Sequence, residues 1–168
     1  MKENVRAEKS IQDYYPDDFA ICYGCGRLNE HGHHLKSYWD GDELVCWVRP
    51  EPYHTGAQNF VYGGLVLSSM DCHGTGAAAA AKHRHEGKEL GVEPLSRFVT
   101  ASLQVDFLAP VPIDGLMEIR ARIKEIKGRK VTIAMTLTVD DTLCARGEMV
   151  AVEIPEGYLE KYNPPGKP

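Results

Sequence analysis

The sequence predicts an α+β fold in which an antiparallel sheet of about six strands wraps around one central helix. Three observations carry this. The stretch Gly63–His85 holds the alanine run 77–81 and small residues on nearly every side. A surface helix shows one apolar stripe, so small residues all round describe a helix enclosed by other structure. Segments with a clean period of two follow it, joined by short turns. Ahead of it stand two short segments rich in aromatic and β-branched residues, parted by Asp40-Gly41-Asp42, a hairpin signal.

The elements follow in order. Residues 1–21 are polar and read as a short helix or arm ahead of a domain spanning 22–155. Residues 22–34, CYGCGRLNEHGHH, are too rich in Gly and His for regular structure. LKSYW at 35–39 and ELVCWV at 43–48 are the first strands, and 50–61, with Pro50, Pro52 and Gly56, is a loop. The helix ends in charged residues and Gly87, a suitable C-terminus. In 97–109, alternation puts Val99, Ala101, Leu103, Val105, Phe107 and Ala109 on one face, with Thr100 on the other. Met117, Ile119, Ala121 and Ile123 alternate through 116–126, and Lys127-Gly128 turns the chain. Val131, Ile133, Met135, Leu137 and Val139 alternate up to the Asp140-Asp141 turn, and 143–154 is the last strand. Residues 156–168 read as a tail. One helix cannot cover six strands, so self-association is expected.

The chain of 168 residues carries a net charge of −5, which disfavours a nucleic-acid partner, since phosphate backbones need a positive surface. Its most apolar stretch, around 60–81, is broken by Gly63-Gly64, Asp71 and His73, so no membrane span is expected. A charged N-terminus without an apolar signal core and five cysteines, an odd number, suggest a reduced, cytoplasmic protein.

The chemistry concentrates between His54 and Gly74. Gly63-Gly64 falls where a loop becomes a helix, and the first amides of a helix have no internal partner and sit at its positive end. They suit an oxygen that becomes negative in a transition state. Asp71, inside the small-residue helix, needs a partner or a function: it either pairs with a cap or an arginine, or serves as base or nucleophile beside an electrophile held by the glycine amides. His73 lies about 200° round the helix from Asp71 and reads as a satisfied buried histidine or an interface residue rather than a catalytic base. Cys22-x-x-Cys25 followed by His31, His33 and His34 raises zinc, but the usual long spacer is missing and no metal is expected. Lys82, Arg84, Lys127, Arg129 and Lys130 could form a local basic patch or be a solvated edge.

Tyr62-Gly63-Gly64, Asp71 after six further residues, the order of elements and the strand VTASLQVDFLAPVP resemble the hotdog-fold acyl-CoA thioesterases of the phenylacetate-pathway, PaaI-like type, over about residues 22–154. The resemblance implies a hotdog fold and hydrolysis of an acyl-CoA thioester, with coenzyme A as part of the substrate and no separate cofactor. Asp71 would be general base or nucleophile, Gly63 and Gly64 the oxyanion turn, and Thr100 the Ser/Thr that such enzymes take from a partner subunit. Thr100 would then need a strand-end or bulge geometry to escape the polar face. The assembly implied is a homodimer or a tetramer of two dimers. Lys127, Arg129 and Lys130 would meet the phosphates. Two positions depart from the pattern: Tyr62 stands where the family has His, and Gly56 where several members have Asn. Asn59 or His54 on the same loop could supply the missing polar contact. These departures keep open a non-catalytic acyl-CoA binding or sensing protein; a dehydratase on the same fold is weakened by Tyr62.

Overall fold

The computed structural model describes residues 9–155 and 157–158. Strands β1 (Ser37–Asp40) and β2 (Glu43–Val48) form the first hairpin, turned at Gly41, whose φ of +65° suits a residue without Cβ. A short hairpin, β3 (Thr55–Ala57) and β4 (Phe60–Val61), leads into helix α1 (Gly63–His85). Then come β5 (Phe98–Phe107), β6 (Met117–Lys127), β7 (Lys130–Val139) and β8 (Thr142–Glu153). The main sheet has six antiparallel strands in the order β1-β2-β6-β7-β8-β5. The β7–β8 turn has Asp140 and Asp141 at φ 47° and 63°, the left-handed pair of a tight hairpin.

Helix α1 packs against this sheet with fourteen buried positions spread around its circumference. Small residues let it approach closely: a Cβ on Gly74 would sit 2.6 Å from Met149 Sδ and 3.2 Å from Met135 Cε. Leu44, Met117, Ile119, Ile133, Leu137 and Met149 fill the space between helix and sheet.

Two expectations change. The loop expected at 50–61 contains a 3₁₀ turn at Pro52–His54 and the β3–β4 hairpin, reversed at Asn59, whose φ is 67°. The strand at 97–109 does not alternate strictly. Its pairing with β8 slips between Thr100 and Ser102, leaving Ala101 as the extra residue of a bulge. Phe98 and Thr100 therefore turn toward the helix before the bulge, and Leu103 and Val105 after it, while Val99 is 38% exposed.

The described part of the expected arm is docked rather than free. Ile11 and Gln12 in the 3₁₀ turn Ile11–Tyr14 are each 2% exposed. Gln12 Oε1 accepts from the Ser37 amide at 2.7 Å, and its Nε2 donates to Ser37 Oγ at 3.1 Å. Of the expected tail 156–168, all but 157–158 lies outside the described residues.

Candidate active site

Asp71 sits midway along α1, and its Oδ1 accepts a hydrogen bond from Thr100 Oγ1 at 2.5 Å. The β5 bulge creates this contact, because strict alternation would point Thr100 away from the helix. The threonine belongs to the same chain, which corrects the expectation that a partner subunit supplies it. Both residues line a cavity of about 270 Å³, together with Cys22, Cys25, Cys72 and Arg97.

The glycine pair opens the helix. Tyr62, the N-cap, is extended at φ −70°, ψ 143°, and its carbonyl accepts the Leu65 amide at 3.1 Å. A helix's first amides have no intrahelical acceptor, so those of Gly63 and Gly64 point outward from its positive end. Gly64 is required locally, since a Cβ there would lie 2.3 Å from the Tyr62 ring. Gly56 is tied to the same residue: a Cβ on it would meet Tyr62 Cα at 2.6 Å. The two departures at 56 and 62 thus touch each other.

Asp71 is not beside the glycine amides of its own chain. Eight residues of helix rise separate it from Gly63, roughly 12 Å along the axis. Gly63 instead borders a second, apolar cavity of about 440 Å³, with Phe60, Val66, Phe107 and Leu108. Within one chain no carbonyl can touch both groups.

The model of the thioesterase superfamily matches residues 58–146, from the β3–β4 turn into β8. The chain belongs to the thioesterase superfamily. A thioesterase superfamily protein from Shewanella loihica is 46% identical to it, with 76% of this chain and 96% of that one covered and a TM-score of 0.61. The Escherichia coli PaaI protein of the phenylacetic acid degradation operon shares the fold at 13% identity, over 73% of this chain and 81% of that one, with a TM-score of 0.60. The acyl-coenzyme A thioesterase THEM4 of Xenopus laevis is 29% identical over 111 residues, 66% of this chain. The chain spans 44% of the length of that curated relative. The fold of the superfamily, one helix in a six-stranded antiparallel sheet, is the one found here.

Other residues singled out in the sequence lie elsewhere in this thioesterase-superfamily chain. His54 Nδ1 accepts the Glu51 amide at 2.9 Å, and its ring meets those of His33 and Tyr53 edge-on. Asn59 is an exposed turn residue whose carbonyl accepts from the Ile113 amide. Neither lines the Asp71 cavity. Lys82 pairs with Glu86 at 2.9 Å, and Arg84 stacks on Trp39. Lys127, Arg129 and Lys130 surround the exposed β6–β7 turn, and of these only Arg129 borders a groove of about 720 Å³ that also takes in Lys88 and Arg97. Phe19, Ser96 and Arg97 line both this groove and the Asp71 cavity, so the two adjoin. Sequence reasoning missed Lys88 and Arg97, because neither stands in a motif or a basic run.

His73 is fully buried. Its Nδ1 accepts from Ser37 Oγ at 2.9 Å and its Nε2 donates to the Leu44 carbonyl at 3.2 Å. Burial lowers its pKa to about 4, so it is neutral and structural. Among the described residues no helix is long and apolar enough to cross a membrane.

The cysteine pair has a third member. The sulfurs of Cys22, Cys25 and Cys72 lie within 4.8 Å of one another, and His31, His33 and His34 are not in the group. Cys22 Sγ and Cys72 Sγ are in hydrogen-bond contact at 3.8 Å, and hydrogen bonding with Cys25 and Cys72 lowers the Cys22 pKa. The same bond to Cys22 raises Cys25 to about 12 and holds Cys72 well above the usual thiol range. No signal in the sequence pairs Cys72 with residues fifty positions earlier.

Proposed function

We propose that the protein hydrolyses an acyl-CoA thioester to the free acid and coenzyme A, in a site completed by a second copy of the chain. The observation that carries it is the Thr100–Asp71 hydrogen bond at 2.5 Å on the helix of a thioesterase-superfamily chain. A carboxylate in that setting can take a proton from water or attack the thioester carbonyl directly. Thr100 holds it in one rotamer and leaves the second carboxylate oxygen for the reacting group. The Gly63 and Gly64 amides of the other subunit receive the carbonyl oxygen as it becomes negative. The roughly 12 Å separation within one chain supports this division of labour. So does β5, an edge strand with Val99 38% and Phe107 53% exposed, which needs a covering strand. The groove bearing Lys88, Arg97 and Arg129 adjoins the cavity and suits the phosphates of coenzyme A. A dimer is the minimal assembly, and the free thiols fit the cytoplasm.

Release of free thiol from short, medium, long and aryl acyl-CoAs tests the reading. Asp71→Asn should slow turnover by roughly 10²–10⁴-fold with the fold intact by circular dichroism. Unchanged turnover would sink the assignment, and tight acyl-CoA binding with no thiol released by wild type would favour the sensing protein that Tyr62 and Gly56 keep open. The composite site has its own test. Asp71→Asn and Gly64→Val chains, each inactive alone, are unfolded together and refolded as a mixture. Random assortment gives half heterodimers, each with one intact site, so roughly a quarter of wild-type activity should return. No recovery would place both groups in one chain's site.

A further inference from the structure

Cys22 and Cys25 stand on the loop after the docked N-terminal segment, and Cys72 stands on α1 directly after Asp71. Cys22 Sγ is 3.8 Å from Cys72 Sγ, and all three sulfurs fit within 4.8 Å. An ion about 2.3 Å from each of its tetrahedral thiolate ligands spaces them roughly 3.8 Å apart. The cluster is therefore close to ligating geometry without any change of backbone.

The loop is shaped to hold these sulfurs there. A Cβ on Gly24 would lie 2.3 Å from Cys72 Sγ, so a glycine is needed for the loop to press against the helix. A Cβ on Gly26 would lie 2.4–2.6 Å from the Ala20 carbonyl and the Cys22 backbone, and the Gly26 amide closes the turn on the Cys22 carbonyl at 2.8 Å. A disulfide would use two of the three sulfurs and strand the third. Convergence of all three is accounted for by a soft ion, for which thiolates are the preferred donors.

We propose that Cys22, Cys25 and Cys72 form a binding site for a thiophilic d¹⁰ cation, Zn²⁺ in chemical class, whose fourth ligand comes from the cavity shared with Asp71 and Thr100. The ion fastens the N-terminal segment to α1 at the wall of that cavity. The site rests on the thiols alone and stands whether or not Asp71 hydrolyses thioesters.

The test uses the full chain, reduced, stripped with a chelator, desalted and titrated with Zn²⁺ against a chromogenic chelator. Wild type should retain one ion per chain. Cys22→Ser, Cys25→Ser and Cys72→Ser should each weaken retention by at least roughly tenfold, while Cys46→Ser and Cys144→Ser, outside the cluster, should not. Co²⁺ loading of wild type gives a readout independent of any variant's folding: intense visible bands of tetrahedral cobalt with sulfur-to-metal charge transfer in the near ultraviolet. Failure of wild type to hold the ion, a cobalt spectrum without thiolate bands, or full retention by Cys72→Ser with loss in His33→Ala would overturn the proposal.

Discussion

Thr100 and Asp71 are joined by one hydrogen bond, and at this scale the consequences are sharp. A hydrogen bond to a charged group contributes about 1.5–3 kcal/mol. If Thr100 orients the carboxylate for reaction, Thr100→Val should lower kcat by roughly 10- to 100-fold with little change in KM, and Thr100→Ser should restore most of it. Steady-state kinetics on the best acyl-CoA of the panel decide this; a change confined to KM would make Thr100 a binding residue instead. Gly64 shows the same economy of space. The Tyr62 ring covers the position where any Cβ would stand, so the tyrosine that departs from the family pattern also fixes the glycine beside it.

The elements work by close approach. Helix α1 meets β7 and β8 at Gly74, where the tips of Met149 and Met135 occupy the space a side chain would need. Gly74→Leu should therefore lower stability by about 3 kcal/mol through overpacking, despite the better helix propensity of leucine. Urea unfolding of the variant measures it, and an unchanged midpoint would show that the methionines yield freely. Strand β5 uses one extra residue to serve two purposes. Before the Ala101 bulge it turns Phe98 and Thr100 to the helix, and after it Leu103 and Val105. A strictly alternating strand could pack the helix or reach Asp71 from Thr100, but not both.

For the whole molecule, acid is the informative variable. His73 is fully buried between Ser37 and Leu44, and its folded pKa of about 4 lies below the ordinary 6.5. The unfolded chain therefore binds the proton more readily. The stabilisation is complete above pH 6.5 and is lost as pH falls from 6.5 toward 4, on the order of 3 kcal/mol in all. His33, also lowered by burial, acts in the same direction. Denaturant unfolding across this window should show stability falling with acid, and His73→Gln should flatten the slope; an equally steep slope would assign the acid sensitivity to other groups.

The sequence by itself determined a great deal. Period-two alternation, a helix of small residues and three turn signals defined the six-stranded sheet around one helix, because those patterns reflect burial that any packing must satisfy. The spacing from Gly63-Gly64 to Asp71 singled out the candidate site residues, and His73 was legible as a buried or interface residue, of which the structure shows the first. Tertiary structure alone decided the rest. Strand pairing slipped at Ala101, and a slip of one residue reverses every side chain on one side of it, so Thr100 came to Asp71 within its own chain. Helical rise put Asp71 out of reach of the glycine amides before it. The docking of the N-terminal segment brought Cys22 and Cys25 to Cys72. Contacts between residues distant in sequence depend on how the surfaces of finished elements fit together, and no local pattern of residues encodes that fit.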